Sequence, residues 1–292
     1  MNNNTLVSIY LTTKNRHQLL QRALTSCQNQ TYKNIEIIII DDGSTDKTEA
    51  VCRQKSENDS RIKYIKNMTS VGVSKARNIG IKNSSGHFIT GIDDDDEMLS
   101  HRIEDFTKNY NDDISLLCTS IIERSPSGQF LSKMGKKYIN YSDIKRKNLV
   151  GNQIFTTKEK LESVSGFDEN MHAWVDYDLW YRLIKKWGKA SKIDNHSYIV
   201  NQQHQLPRIT TGDRQGLGAN EFINKHKADL SDIDIKYLRV RRIINNKVKL
   251  SLLETIKHSL DLECFIRLIS NYCEHRFPTI LTAIKTSLQN RV

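Results

Sequence analysis

Cysteine pairs are missing from this chain. Its five cysteines, Cys27, Cys52, Cys118, Cys264 and Cys273, are odd in number and scattered through 292 residues, with no Cys-x-x-Cys spacing. That pattern argues against a disulfide framework and a thiolate zinc site, and predicts reduced thiols in a cytosolic protein. Long hydrophobic runs are missing as well. No apolar stretch approaches the roughly 18 residues that a spanning helix needs. The opening Met1-Asn2-Asn3-Asn4-Thr5 has neither the basic region nor the apolar core of a signal peptide. Any membrane contact is therefore expected to be peripheral. Internal repeats and low-complexity segments are absent. A hydrophobic content of 37% is low, yet the length suffices for one large α/β domain plus an appendage.

Charge is present in excess and unevenly placed. The net charge is +10, and residues 236–292 carry eleven Lys/Arg against four Asp/Glu, which is +7 of that total. A basic end implies an anionic partner: nucleic acid, acidic lipid or a phosphorylated substrate. On charge alone a merely soluble basic surface fits as well.

Acidic residues gather in two places. Asp93-Asp94-Asp95-Asp96 follows the apolar run Phe88–Ile92, which reads as a strand. Four adjacent like charges repel one another, and a cation among them relieves this. Carboxylates are hard oxygen ligands suited to Mg²⁺ or Mn²⁺. Taken alone, such a run is more simply a solvated acidic turn. Upstream, however, Ile37-Ile38-Ile39-Ile40 leads into Asp41-Asp42-Gly43-Ser44-Thr45-Asp46. Consecutive isoleucines mark a strand buried on both faces of a parallel sheet. Ser44, Thr45 and Asp46 are candidate caps for a helix reaching Glu57. Ligands of open α/β sheets bind at the carboxyl ends of strands, so the two acidic clusters are expected to converge on one crevice.

The periodicity gives strands over Leu6–Leu11, Ile35–Ile40, Ile62–Ile65 and Phe88–Ile92. Between them lie helices with Leu19, Leu20, Ala23, Leu24 and Cys27 on one face, and over Ser44–Glu57 and Val73–Ile81. This order predicts an α/β fold, a mainly parallel twisted sheet with helices on both faces. Further on, Leu99–Tyr110 and Asp176–Trp187 read as helices, Ile114–Ile122 as a strand, Ser125–Gly128 as a turn and Gln202–Gly218 as a mobile loop. From about Ile233 the pattern is helical, with an apolar stripe of Ile280, Leu281, Ile284 and Leu288. The expected division is an α/β domain over 1–232 and a basic helical appendage over 233–292.

Five segments, in order, resemble the family 2 glycosyltransferases. They are Val7–Arg16; Asp41–Asp46; Gly72-Val73-Ser74-Lys75-Ala76-Arg77-Asn78-Ile79-Gly80; Asp93–Asp96; and Val175-Asp176-Tyr177-Asp178-Leu179-Trp180-Tyr181-Arg182. The resemblance covers about residues 5–211. It implies the GT-A fold and inverting transfer from a UDP-sugar, with UDP-glucose or UDP-galactose favoured, aided by Mn²⁺ or Mg²⁺. Two departures stand out: Val175 where the family has Glu, and Thr12 at a position often Pro.

The resemblance also implies roles. Asp176 is the base that takes the acceptor proton, with Asp178 as a competitor and helix capping as the plainer reading of Asp176. Thr12, Asn15, Arg16, Asp41, Asp42, Arg77, Asp93, Asp94 and Arg208 are expected around the nucleotide-sugar. Asp42 would meet the uracil, Arg77 the uracil or diphosphate, and Asp93 the ribose or the metal shell. Asp95 is the first candidate for the metal, with Asp96 beside it and His204 completing the shell; a lone loop histidine is equally a solvated one. Trp174 and Tyr177 could stack on the acceptor sugar, whereas the spacing of Trp180 favours the core. With the basic tail, the expected setting is cytoplasmic, peripheral on the anionic inner face of the cell membrane, and the expected acceptor a sugar-diphosphate-lipid in O-antigen or polysaccharide assembly. A nucleotidyltransferase would share the carboxylates but lack the Asp176 helix. A nucleic-acid binder would need exposed aromatics among its basic residues, and the tail offers Ile and Leu instead.

Overall fold

A computed structural model describes residues 5–203, 214–245 and 248–276. The chain forms two units, Met1–Met171 with Val175–Leu206, and His172–Trp174 with Pro207–Val292.

The first unit grows from β1 (Val7–Thr13), α1 (His17–Gln28), β2 (Ile35–Asp41), α2 (Thr48–Asn58), β3 (Ile62–Lys66), α3 (Val73–Asn83) and β4 (Phe88–Asp93). Every residue of β2 is buried, as a strand flanked on both edges must be. β1 lies between β2 and β4, parallel to both. α1 buries Leu20, Ala23, Leu24 and Cys27, the stripe read from the sequence. α3 packs closely because Gly80 has no Cβ, which would stand 2.7 Å from Ile40 Cδ1 and 2.8 Å from Tyr10 Cβ.

There follow β5 (Glu97–Met98), α4 (Arg102–Asn109), β6 (Leu117–Ser125), β7 (Gly128–Leu131), β8 (Tyr138–Ile139), α5 (Tyr141–Ile144), β9 (Phe155–Thr157), α6 (Lys158–Ser163), α7 (Val175–Trp187) and β10 (Ala190–Asn201). The sheet order is β3-β2-β1-β4-β9-β6-β10-β5, with β7 beside β6 and β8 beside β10. β9 runs antiparallel to both β4 and β6. β6 therefore points the same way as β4, and β10 is parallel to β6. Phe155 of β9 stacks on Phe88 and on Phe106 of α4, joining the two halves of the core. The five cysteines are free thiols.

Several boundaries differ from the sequence reading. The second helix begins at Thr48, since Asp46 accepts from the Thr48 N–H at 2.9 Å and holds the chain in a turn before it. The third long strand starts at Leu117 and continues through Ser125 into a hairpin, and strands β9 and β10 were not foreseen.

Gly91, in β4, faces Tyr10 and Gln153 so closely that a Cβ would collide with the Tyr10 ring and with Gln153 Oε1. Gly91→Ala is expected to cost about 1–3 kcal/mol by overpacking, which lowers the melting midpoint by about 2–4 °C per kcal/mol. An unchanged thermal transition would contradict this packing.

The second unit holds α8 (Arg214–Lys225), α9 (Asp232–Asn245), α10 (Leu252–Lys257) and α11 (Leu262–Arg276). Helix starts earlier than the expected 233, because Ala219 and Phe222 of α8 are fully buried in a packed element of their own. His172 pairs with Glu221, and Trp174, at φ 60°, packs on Phe222. The stripe at 280–288 lies outside the described residues. Among those described, no helix is long and apolar enough to cross a membrane.

Candidate active site

Parallel register brings the strand ends together: Thr13 pairs with Asp41, and Thr12 with Asp93. The two acidic clusters flank the end of β1, as expected for the carboxyl rim of an open sheet.

The first cluster builds a wall. Asp41 is fully buried; its Oδ1 accepts from the Ser44 N–H at 2.8 Å and its Oδ2 from the Tyr64 hydroxyl at 2.9 Å. Asp42 accepts from Asn67 Nδ2 (3.0 Å), Ser70 Oγ (2.6 Å) and the N–H groups of Val71 (2.8 Å) and Gly72 (3.0 Å). Burial alone would raise the Asp42 pKa, but these four donors outweigh it and hold it below the ordinary value. The Asp42 carboxylate folds the 67–72 loop onto β2, and that of Asp41 ties the following turn to Tyr64 of β3. Gly43, at φ 74°, permits this approach; a Cβ there would lie 2.8 Å from the Ser70 nitrogen. Asn15, at φ 55°, ties the two loops by accepting from the Thr45 N–H at 2.7 Å. Thr12 is half-buried at the same rim.

The second cluster fans out. Asp94 accepts from Thr13 Oγ1 (2.8 Å) and Arg16 Nη1 (3.0 Å). Burial raises its pKa to about 6, with Asp95 adding to the rise and Arg16 and Thr13 opposing it. Asp95 faces the same guanidinium at 3.5 Å, and its carbonyl accepts from Arg22. Asp96 turns into the sheet, where Oδ1 accepts from the Asn201 N–H at 3.0 Å. Burial, then Asp93 and Asp95, push its pKa well above the carboxylate range, against the opposing bonds from Asn201 and Tyr198. Successive residues of a tight turn cannot aim their side chains at one point. Among the described residues no three His, Cys, Asp or Glu groups converge as a metal cage.

Asp93 and Asp176 meet through one cation. Arg77, buried on α3, donates to Asp93 Oδ1 and to Asp176 Oδ1, each at 2.7 Å. Its guanidinium lies 5.1 Å above the Phe167 ring. Arg77 is thus a bridge between carboxylates, which the sequence reading toward uracil or diphosphate did not anticipate. Gln153 Nε2 also reaches Asp93 Oδ1 at 3.2 Å, and the Tyr10 hydroxyl donates to Gln153 Oε1 at 3.3 Å. Gln153 and Tyr198 lie outside every motif segment, and Tyr10, inside Val7–Arg16, had no role assigned to it.

The α7 acids separate clearly. Asp176 lies in the first helical turn, with 29% of its side chain exposed. Burial raises its pKa, Arg77 lowers it and Asp93 raises it again, to about 6. Asp178 is fully buried and paired with Arg182 at 2.7 Å, which in turn holds the Val164 and Gly166 carbonyls. It fastens α7 to the preceding turn. Tyr177 is buried, with its hydroxyl on the Ile144 carbonyl, so it is not placed to stack on a sugar; Trp180 is core, donating to the Gly151 carbonyl at 3.0 Å. His204 and Arg208 lie outside the described residues.

The sequence profile of Glycosyl transferase family 2 matches residues 8–168. The chain belongs to this family. It is 32% identical over 245 residues to an Escherichia coli protein provisionally assigned as the colanic acid biosynthesis glycosyl transferase WcaA, covering 81% of this chain and 87% of that one. It is 30% identical over 254 residues to the GalNAc(5)-diNAcBac-PP-undecaprenol beta-1,3-glucosyltransferase of Campylobacter jejuni, covering 84% and 76%. Among solved structures, S. aureus TarS 1-349 in complex with UDP-GlcNAc superposes with TM-score 0.61 at 18% identity, covering 92% of this chain and 80% of that one. The mannosyltransferase PcManGT from Pyrobaculum calidifontis, in complex with GDP-Man and Mn2+, gives 0.58 at 13%, covering 94% and 87%. The fold of this family 2 glycosyltransferase is GT-A, and it is a transferase. Family membership sets aside the nucleotidyltransferase and nucleic-acid-binding readings.

Proposed function

We propose that this glycosyltransferase moves a hexose, with inversion, from a UDP-sugar (UDP-glucose or UDP-galactose) to a sugar-diphosphate-lipid in bacterial O-antigen or polysaccharide assembly. The observation that carries the reading is Asp176, a partly exposed carboxylate bridged by Arg77 to Asp93 at the strand-end crevice. The acceptor oxygen attacks the anomeric carbon, its proton passes to the Asp176 carboxylate, and the bond to the diphosphate breaks. A base with a pKa raised to about 6 stays deprotonated at neutral pH yet gains basicity. Arg77 and Gln153 keep Asp93 in place, and Arg16, at the mouth between Asp94 and Asp95, supplies positive charge beside the departing diphosphate.

The donor set suits a divalent ion shared with phosphates and not a protein-only cage. Mg²⁺-type sites use one or two carboxylates plus substrate phosphates. Asp95 is the carboxylate for that role, with Asp93 next to it; Asp96, turned inward, is the weaker candidate. Such an ion would offset charge on the leaving group. His204 as a further ligand and Arg208 on the diphosphate complete the proposed site. The setting is the cytoplasmic face of the membrane, with 1–232 as the transfer domain and 233–292 contacting lipid. Support comes from the relatives: one is named for an undecaprenol-linked acceptor and glucosyl transfer, one for colanic acid, and one fold neighbour holds UDP-GlcNAc.

A donor screen tests this. UDP release is measured with UDP-glucose, UDP-galactose and UDP-GlcNAc, and GDP release with GDP-mannose, each with and without a synthetic sugar-diphosphate-lipid. Acceptor-dependent turnover of a UDP-hexose is expected. Turnover confined to GDP-mannose, or indifferent to the acceptor, would refute it.

A further inference from the structure

One arginine lies where an apolar side chain would be expected. Arg102 opens α4 and is 1% exposed. Its Nη1 donates to Thr119 Oγ1 of β6 at 2.8 Å and to Ser197 Oγ of β10 at 3.1 Å; Nη2 reaches the Gln153 carbonyl at 3.5 Å. These acceptors are all neutral. Asp105, one turn along the helix, accepts from Asn195 instead, at 2.6 Å. The Arg102 Nε is buried with no acceptor among the described residues. The guanidinium lies 4.4 Å from the Phe106 ring centre and 4.9 Å from that of Tyr198. Burial draws its pKa down to about 10, against Tyr198, Cys118 and Asp105, which leaves it charged at neutral pH.

A buried charge is normally paired, and even buried pairs can often be replaced by apolar groups without loss of stability. Packing alone therefore gives no reason for a guanidinium here. Two of its neighbours do. Tyr198, whose ring the guanidinium faces, accepts from the Asp93 N–H through its hydroxyl at 3.3 Å. Gln153, whose carbonyl faces Nη2, donates from Nε2 to Asp93 Oδ1 at 3.2 Å. Asp93 in turn joins Asp176 through Arg77. The three acceptors of Arg102 come from β6, β10 and the approach to β9, and one planar group with several donors holds all three.

We infer that Arg102 is a positioning residue for sugar transfer: it fixes Tyr198 and Gln153, and these set the amide and the carboxylate of Asp93. The inference rests on the proposed transfer reading for its purpose, because Asp93 matters there as the partner of Asp176 across Arg77. Closed off from solvent, Arg102 acts only through its neighbours.

The full-length chain carrying Arg102→Met is compared with wild type. It should melt at or above the wild-type midpoint, while kcat falls roughly a hundredfold, the scale of a small misplacement near the chemistry. The same substitution made in Tyr198→Phe or in Gln153→Ala should cost less than in wild type, since members of one network are not additive. Hydrogen exchange at the Asp93 amide should quicken by about tenfold, the scale of one hydrogen bond, while the Ile37–Ile40 amides of β2 exchange as before. A merely structural arginine would instead hasten exchange across the sheet and lower the melting midpoint, with additive effects on kcat. Arg102→Lys keeps the charge but not the fork that reaches three acceptors. It should show the same selective pattern, and it carries the test where Arg102→Met does not fold. Wild-type kcat in both variants, full additivity with both Tyr198→Phe and Gln153→Ala, or unchanged exchange at Asp93 overturns the inference. A wild-type protein that transfers no sugar would count against the transfer reading alone, and selective exchange at Asp93 in its variants would still support the contact.

Discussion

Asp176→Asn is expected to lose sugar transfer by ~10²–10⁴-fold, the usual contribution of a general base, while still binding UDP. The pH dependence should identify the group. The folded pKa of Asp176 is raised to about 6, above the ordinary aspartate value of about 3.9. The base acts deprotonated, so wild-type kcat/KM should fall roughly tenfold per unit below about pH 6, and the asparagine variant should lack that limb. The stability effect has the opposite sense. An acid whose folded pKa is raised contributes stability that is full below its unfolded pKa and lost as pH rises through about 6. Removing it at neutral pH therefore sacrifices nothing from this source, and the variant should melt near wild type. Asp178→Asn should behave differently. Its carboxylate is buried against Arg182, so the loss is about 1–3 kcal/mol of stability with smaller effects on chemistry in the folded fraction. Full activity in Asp176→Asn, with a folded but inactive Asp178→Asn, would reverse the assignment.

Chelation is the second large effect. EDTA should abolish transfer, and Mn²⁺ or Mg²⁺ should restore it. Asp95→Ala should lower turnover by ~10²–10³-fold, the scale of removing one preorganised electrostatic partner of the leaving group, without unfolding the protein. Asp96→Asn is the contrasting variant. Its carboxyl lies inside the sheet, accepting from the Asn201 N–H, with a pKa pushed up by burial, Asp93 and Asp95, so an amide replaces a group turned away from the proposed metal position. Metal dependence should persist in Asp96→Asn. Full turnover in excess chelator would remove the metal from the mechanism.

Local pattern carried the amino-terminal half of the fold. The isoleucine run reads as a buried strand because nothing polar interrupts it. The second half was harder. β9 has three residues, too few for any periodicity to register. β10 is bulged between Ile193 and Tyr198, which breaks its alternation. At the candidate site, residue type picked out two strand ends that the register brings together, but not side-chain direction. Asp41 and Asp42 carry the charge a nucleotide pocket could use, yet their oxygens go to Ser44, Tyr64 and the 67–72 loop. Arg77 finds its partners on β4 and α7, and Gln153 meets Asp93 from a segment distant in sequence. Such pairings depend on tertiary register, which no local window contains.

The reversed strand β9 has a consequence for how the molecule comes together. β1, β2, β3 and β4 are close enough in sequence to associate early, since loop closure is cheapest for near neighbours. β9 must return from far along the chain to lie beside β4, and β10, from further still, takes its place between β6 and β5. Gln153 arrives with the first of these and Tyr198 with the second. A nascent chain can therefore own its strand-end loops before it owns the support under Asp93. Recovery of transfer should trail recovery of backbone structure during refolding, and the rate of its appearance reports the closing of the distant half of the sheet.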